Sequence, residues 1–398
     1  MKNPAILTKS LLHRIFSKAC GDAFAVVYWD GTTEHYGKGE PLFTLILRDN
    51  HLLTHRQEDV ATWFGEAYMH GQIDVEGDLA DVVALAIQNR SLETDWVTHG
   101  LVRTVGRAMR AARRTLQRQK EDVVHHYDLG NDFFRLWLDD SMTYSCAYFH
   151  SPSDTLEQAQ QQKIDHSLRK LRLRPKETLL DIGSGWGSLV MHAAENYDVR
   201  ALGITLSEEQ YRATCDLLRA RGLDEQAGVR LAHYETLARE GMEFDKIVSI
   251  GMIEHVGKAH LGDFVSAVEA MLKPGGLALL HHITTMSEGP THSWTTKYIF
   301  PGGYIPTLDE MIAHLRARDF HVLDVENLGP HYRLTLDHWS ERFERNVDVV
   351  CERFGERFVR MWRLYLRGAS ASFREGSLEV HQILASKGKP SNFPLKAR

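Results

Sequence analysis

The chain has 398 residues, 43% of them hydrophobic, with 47 Lys and Arg against 53 Asp and Glu and a formal net charge of −6. That length and apolar content support two cores, and the acidic balance argues against bulk nucleic-acid binding. Four scattered cysteines (Cys20, Cys146, Cys215, Cys351) form no C-x-x-C pair, which argues against a disulfide scaffold or cysteine zinc site and fits a reducing cytoplasm. No signal peptide is evident behind Lys2 and Lys9, and the longest apolar runs, 23–29 and 82–87, are far too short to span a bilayer.

The first hundred residues predict a small α+β domain. Residues 23–29 read as a strand, Asp30-Gly31 as a hairpin turn and 42–47 as a second strand. Helices follow over 59–68 and 79–87, and no catalytic cluster stands out. Residues 101–120 then change character: Arg103, Arg107, Arg110, Arg113, Arg114, Arg118 and Lys120 alternate with Val102, Val105, Met109 and Leu116. This is the pattern of a basic amphipathic linker helix. It serves either as a solvated interdomain helix or as a contact with an anionic membrane, where each basic residue contributes on the order of 1 kcal/mol.

From 121 onward helices and strands alternate. The expected helices cover 155–173, 189–197, 207–221 and 264–272; the expected strands cover 178–182, 199–204, 229–232, 246–250 and 277–283. Lys273-Pro-Gly-Gly276 stops the last helix. Such alternation predicts an α/β fold with a mostly parallel sheet covered on both faces.

Within it, Leu179-Leu-Asp-Ile-Gly-Ser-Gly-Trp-Gly187 reads as a buried strand, a glycine turn and a helix start. Gly183, Gly185 and Gly187 permit a sharp turn and close approach to a ligand at the carboxyl edge of the sheet. No Lys-Ser/Thr follows, so this is no Walker loop, and the G-x-G-x-x-G spacing with a later acidic residue is absent. A glycine turn lacking phosphate-binding extras suits adenosine without a pyrophosphate, which makes S-adenosylmethionine the candidate.

Together with this loop, Gly203-Ile-Thr-Leu-Ser207 and Gly251-Met-Ile-Glu-His-Val-Gly257 give the chain a family resemblance. So do Tyr127-Asp-Leu-Gly-Asn-Asp-Phe-Phe134, Thr143-Tyr-Ser-Cys-Ala-Tyr-Phe149, Ile299-Phe-Pro-Gly-Gly303, and Asn327-Leu-Gly-Pro-His-Tyr332 leading into Trp339-Ser-Glu-Arg-Phe343. The chain resembles the cyclopropane-fatty-acyl-phospholipid synthases and the mycolic-acid methyltransferases. The resemblance spans 121–387. More loosely, through Phe64-Gly-Glu-Ala-Tyr-Met69 and Asp74-Val-Glu-Gly77, it extends to the extra N-terminal domain of the full-length bacterial synthases.

The resemblance implies a Rossmann-like class I S-adenosylmethionine methyltransferase fold with a seven-stranded sheet. Its domains would be 1–100 (lipid handling), 101–120 (linker) and 121–398 (catalysis, with acyl-binding helices). For the cofactor it implies Leu179, Asp181, Gly183, Ser184, Gly185, Trp186 and Gly187 beneath the methionine part, and Tyr144 and Ser145 at its carboxylate end. Thr205, Leu206 and Gln210 would contact ribose and adenine, and Tyr234 and Glu235 the adenine edge. Ser207 reads instead as a helix N-cap.

The implied reaction moves a methyl to a cis double bond of a phospholipid acyl chain, and a base then removes a proton so that the ring closes. Bicarbonate is the implied base, held by Cys146, Glu254, His281, Ile283 and Tyr332. Glu254 would accept from its hydroxyl, and His281, Tyr332 and the backbone N–H groups of Cys146 and Ile283 would donate. Without a helical His-Glu-x-x-His pattern, Glu254, His255, His260, His281 and His282 predict no metal site. His125 and His126 read as structural or solvent-facing.

Many family members carry a cysteine where this chain has Ala369, so that thiol is expected to be dispensable. Phe354, Phe358, Met361, Trp362, Tyr365 and Phe373 read first as core packing, and by resemblance as walls of an acyl tunnel. The resemblance further implies a cytoplasmic protein acting peripherally at the inner membrane face, no nucleic-acid partner, and a homodimer. The alternatives are an alkene methyltransferase ending in a branched or oxygenated product, a methyltransferase for small polar metabolites, and a non-enzymatic lipid-binding module.

Overall fold

A computed structural model describes residues 4–50, 52, 59–90, 129–289 and 293–389. The basic stretch 101–120, His125, His126 and the start of the 127–134 motif lie outside the described residues. The chain packs into two compact units. One holds the described residues up to 90 with 293–299 and Trp339–Ser377; the other holds 129–289, Phe300–His338 and the described residues from Leu378 onward.

The first unit contains α1 (Pro4–Phe16), β1 (Phe24–Val27), β2 (Thr33–Tyr36), β3 (Phe43–Leu47), α2 (Val60–Met69), β4 (Ile73–Glu76) and α3 (Leu79–Gln88). The Asp30-Gly31 hairpin pairs β1 with β2 as expected, and β3 joins β1 in parallel, giving the order β2-β1-β3-β4. Leu12, Phe24, Val26, Tyr28, Phe43 and Ile73 form its core. Asp59 and Asp78 cap α2 and α3 with their carboxylates, satisfying helix donors that would otherwise be left open.

Three helices from much later in the chain belong to this unit: α10 (Ser293–Tyr298), α13 (Val347–Phe354) and α14 (Glu356–Arg374). The boundaries read from the sequence put 293–299 and 339–377 with the catalytic domain; by packing they go with the N-terminal elements. Gly65 on α2 admits the Trp294 ring of α10, where a Cβ would collide with the indole. Arginines seven residues apart on α14 bind the acidic edge of β4 and α3. Arg360 donates to the Tyr68 carbonyl (2.5 Å), the Ile73 carbonyl (2.8 Å) and Asp74; Arg367 pairs with Asp78, and Arg374 with Asp81 at 2.9 Å. Met361 and the aromatics Phe354, Phe358, Trp362, Tyr365 and Phe373 ride on α13 and α14, Phe354, Phe358 and Trp362 stacked in series.

The second unit is the expected α/β domain. In chain order it contains α4 (Asn131–Arg135), α5 (Leu156–Leu171), β5 (Thr178–Ile182), α6 (Ser188–Tyr197), β6 (Arg200–Thr205) and α7 (Glu208–Arg221). Next come β7 (Ala227–Leu231), α8 (Tyr234–Arg239), β8 (Phe244–Ile250), α9 (Leu261–Met271) and β9 (Leu272–Thr285). α11 (Leu308–Arg316), β10 (Phe320–Asn327), the first half of α12 (Gly329–Arg345) and β11 (Leu378–Lys387) complete it.

The sheet order is β10-β11-β9-β8-β5-β6-β7. Strands β9, β8, β5, β6 and β7 are parallel, and β11 runs antiparallel to both β9 and β10. Side chains alternate across the sheet. Leu180 and Ile182 therefore enter one core with Phe264 and Val268, while Leu179 enters the other with Ile164 and Leu168 of α5.

Candidate active site

The carboxyl ends of β5, β6 and β8 open onto a cleft with about 1050 Å³ of empty space, its mouth included. The turn after β5 forms its floor. Gly183 and Ser184 both donate backbone N–H bonds to the Ile204 carbonyl at 3.0 Å, pinning this turn to β6. The three glycines act differently. All have positive φ (86°, 55° and 80°), but a Cβ on Gly183 would lie 2.9 Å from Met252, and one on Gly187 2.5 Å from Thr214. A Cβ on Gly185 would meet no protein atom within 4 Å. Only at Gly185 does the open space over the backbone leave room for a ligand.

Of the residues expected to hold a nucleoside cofactor, Tyr144, Ser145, Asp181, Gly183, Ser184, Gly185, Trp186, Thr205, Leu206, Gln210 and Tyr234 line this cleft. Three do not. Leu179 is core packing beneath the sheet. Gly187 is the left-handed N-cap of α6. Glu235 is tied to Arg239 at 2.6 Å, one turn along α8. Ser207 caps α7 through the Gln210 N–H, as expected. Thr205 donates to the Gln210 side-chain oxygen at 2.7 Å, fixing that amide at the cleft wall. The Tyr234 hydroxyl is buried and has no hydrogen-bond partner among the described residues. Trp186 donates its indole N–H to Asn131 and packs on Phe134, and Tyr144 packs on Phe134 and Trp137.

Residues that motif reading did not single out also line the cleft, among them Lys163 and His233. Lys163 lies on α5, 2% exposed, and donates to the Ser145 hydroxyl at 2.9 Å. Burial lowers its pKa to about 8 despite the nearby Cys146, Asp139 and Asp181, and burial raises Asp181 to about 7. The signal was present in the sequence. Gln160, Lys163, Ser167 and Lys170 form a second, polar stripe at helical spacing beside the apolar stripe of Ile164, Leu168 and Leu171. All four are buried.

The five residues expected around an anion lie outside the lining of this cleft. Glu254 sits on a short 3₁₀ turn after β8. Its Oε1 accepts from the Ile283 backbone N–H at 2.7 Å, and its Oε2 is buried without a partner among the described residues. Burial raises its pKa to about 7, only partly offset by that N–H. This corrects one expectation: the Ile283 N–H serves Glu254 rather than standing free for an anion.

His281, two residues earlier on β9, points to the α5 face. Gln382 of β11 donates to its Nδ1 at 3.1 Å and also to Ser167, whose hydroxyl bonds the Lys163 carbonyl. In this arrangement the imidazole proton is on Nε2, and burial holds the ring neutral by lowering its pKa well below the usual range. His282 faces the opposite side, also buried, with its pKa lowered to about 4 and Nε2 unpartnered.

Cys146 is fully enclosed and its thiol pKa is pushed up by burial, which keeps it protonated. It approaches the Leu328 carbonyl at 3.8 Å, which also accepts the Tyr332 N–H at 3.1 Å. The Cys146 segment and the first turn of α12 are further locked by the Ala147 N–H on Thr335 and by Tyr148 stacked on His331.

A family model described as mycolic acid cyclopropane synthetase matches residues 114–383, and a domain of unknown function matches 11–94. A Pseudomonas putida protein named "Probable fatty acid methyltransferase" is 36% identical over 369 residues, 90% of each chain. The Escherichia coli K12 cyclopropane-fatty-acyl-phospholipid synthase is 37% identical, covering 81% of this chain and 82% of its own. The crystal structure of mycolic acid cyclopropane synthase CmaA1 complexed with SAH and CTAB superposes with a TM-score of 0.64 at 37% identity. It covers 67% of this chain and 98% of that one. By sequence and by fold, this chain belongs to the mycolic acid cyclopropane synthetase family.

Proposed function

We propose that this protein transfers the methyl group of S-adenosylmethionine to a cis double bond of a phospholipid acyl chain and closes the product to a cyclopropane. The alkene π pair forms the new C–C bond as the S–CH3 bond breaks, leaving positive charge on the adjacent carbon. Loss of a proton from the new methyl then lets its C–H pair close the ring. S-adenosylmethionine supplies the electrophilic sulfonium methyl, and bicarbonate the base.

The observation that carries this reading is Glu254: a carboxylate with one oxygen anchored and the other buried without a partner among the described residues. Such an oxygen suits the hydroxyl of a bicarbonate, whose own anionic oxygens need the donors His281 and Tyr332. Tyr144, Ser145, Asp181, Ser184, Gly185, Thr205, Leu206, Gln210 and Tyr234 would hold the nucleoside and its amino-acid tail. The partnerless Tyr234 hydroxyl and the space over Gly185 both favour a ligand there. The enclosed surroundings of Glu254, His281 and Cys146 exclude the water that would otherwise trap a cation as an alcohol.

A lipid substrate would place the protein at a membrane surface on the cytoplasmic side. Among the described residues no helix is long and apolar enough to cross a membrane, so association would be peripheral, with the N-terminal unit handling lipid and a homodimer as the assembly.

The test is incubation of the full chain with S-adenosylmethionine and liposomes of cis-unsaturated or fully saturated phospholipid, read by lipid mass spectrometry. Gain of one CH2 only on the unsaturated lipid is expected; equal gain on both, or turnover on a soluble amine without lipid, contradicts the reading. A branched or oxygenated product would instead mark a related alkene methyltransferase.

A further inference from the structure

Lys163 is a buried cation whose side chain, among the described residues, hydrogen-bonds to a neutral partner. Its ammonium carries three donors, and that bond goes to the Ser145 hydroxyl. No carboxylate among the described residues pairs with it; Asp139 and Asp181 act on it only through space. A buried charge in this state is costly unless something else compensates it. Both Lys163 and Ser145 line the cleft, so the space onto which the remaining donors open is the ligand space.

The bond also fixes the chemistry of Ser145. Because its oxygen accepts from Lys163, the Ser145 hydroxyl is left to donate its own proton. The Gln160 amide braces the segment from behind, donating to the carbonyls of Thr143 (3.2 Å) and Ser145 (2.9 Å). Across the floor, Asp181 presents a carboxylate on the sheet face that α5 covers. Lys163 and Asp181 thus give one end of the cleft a positive and a negative group that are not joined to each other, the complement of an α-amino acid zwitterion.

We propose that Lys163, together with the Ser145 hydroxyl it orients, is the receptor for the carboxylate of the amino-acid tail carried by the nucleoside. This rests on the reading of the cleft as an S-adenosylmethionine site, and it adds a residue that the glycine-loop and Tyr-Ser motifs do not contain. Charge-assisted bonds of this kind, formed in a water-poor corner, discriminate strongly between ligands with and without the anion.

The test measures equilibrium binding of three probes to the full wild-type chain and to Lys163→Met. The probes are S-adenosylmethionine, its decarboxylated analogue (amine kept, carboxylate lost) and 5′-methylthioadenosine (whole tail lost). Wild type should bind S-adenosylmethionine roughly 10- to 100-fold tighter than the decarboxylated analogue. In Lys163→Met that preference should collapse while 5′-methylthioadenosine binds as before, which also shows that the variant is folded.

Equal wild-type affinity for S-adenosylmethionine and its decarboxylated analogue overturns the proposal without recourse to any variant. Retention of the preference in Lys163→Met overturns it too, as does equal weakening of all three probes, which marks a merely structural lysine. If wild type binds none of the three, the S-adenosylmethionine reading itself fails and takes the inference with it.

Discussion

The Ile283 backbone N–H donates to Glu254 Oε1 at 2.7 Å, leaving Oε2 buried and unpartnered. One hydrogen bond thus orients a carboxylate without neutralising it. Its raised pKa follows from burial, so the proton is shed only near neutrality. If Glu254 must be ionised to accept a hydrogen bond from the base, activity should rise with pH through about 7. Buried His281, with a pKa well below its ordinary range, should add no inflection there. The pH–rate profile of wild type checks this, and a profile flat across that range contradicts it.

The same shifts set the pH dependence of folding. Glu254 and Asp181 bind protons more tightly folded (both about 7) than at their ordinary values of 4.5 and 3.8. Their contribution to the stability of the ligand-free chain therefore falls as pH rises from about 4 to 7. Lys163 is lowered from 10.5 to about 8, so its contribution has the opposite slope, rising between about 8 and 10.5. Denaturant unfolding across pH should show a smaller decline for Glu254→Gln. That variant should be no less stable than wild type at pH 7, because it removes a buried charge.

The glycines of the turn should separate by assay. Gly187→Ala places a Cβ 2.5 Å from Thr214 at positive φ, and should cost about 1–3 kcal/mol of stability. Gly185→Ala meets no protein atom; its stability cost is limited to about 1 kcal/mol for the left-handed backbone, and its main effect should be weakened nucleoside binding. Thermal melts paired with binding titrations distinguish the two. An equal loss of binding at unchanged stability for both would contradict the assignment.

Tyr234→Phe removes a hydroxyl that is buried and unsatisfied. The free chain should be as stable or slightly more so, by up to about 1 kcal/mol, while S-adenosylhomocysteine should bind more weakly. Unchanged affinity would mean that the hydroxyl faces no ligand atom.

In the N-terminal unit, Arg360 satisfies two carbonyls and Asp74 from a position 14% exposed. Arg360→Met should cost roughly 2–4 kcal/mol, whereas breaking the exposed Arg212–Glu208 pair should change stability by less than about 0.5 kcal/mol. Because α14 packs on α2 and α3, deletion of residues 1–100 should yield an aggregating chain rather than a soluble catalytic fragment. A soluble, monodisperse truncation would contradict this packing.

Much of this architecture was legible locally. The β-branched run at 178–182, the Asp30-Gly31 hairpin and the Ser207 cap are set by neighbours in sequence, and each falls where expected. A seven-stranded sheet was implied by the resemblance, but no residues were assigned to β10 and β11. Their place in the sheet depends on pairing across distant parts of the chain, as Gln382 opposite His281 illustrates. Likewise the polar stripe that holds Lys163 reads as a solvated helix face until the sheet covers it, and α14 reads as part of the catalytic domain until its arginines meet Asp74, Asp78 and Asp81. Motif matching found Glu254 and His281 but missed the polar chain through Gln382, Ser167 and Lys163 that links His281 to Ser145. It also assigned the Ile283 N–H to an anion, because a motif does not reveal which donor a neighbouring carboxylate will take.

In the proposed reaction Glu254 directs methyl transfer to ring closure. The most direct measurement is the structure of the lipid product made by wild type and by Glu254→Gln from S-adenosylmethionine and cis-unsaturated phospholipid. The prediction is one added CH2 in a product that takes up no hydrogen under mild hydrogenation, with turnover lost in Glu254→Gln while S-adenosylhomocysteine still binds. A wild-type product that takes up hydrogen, or a variant that makes the cyclopropane at the wild-type rate, would contradict it.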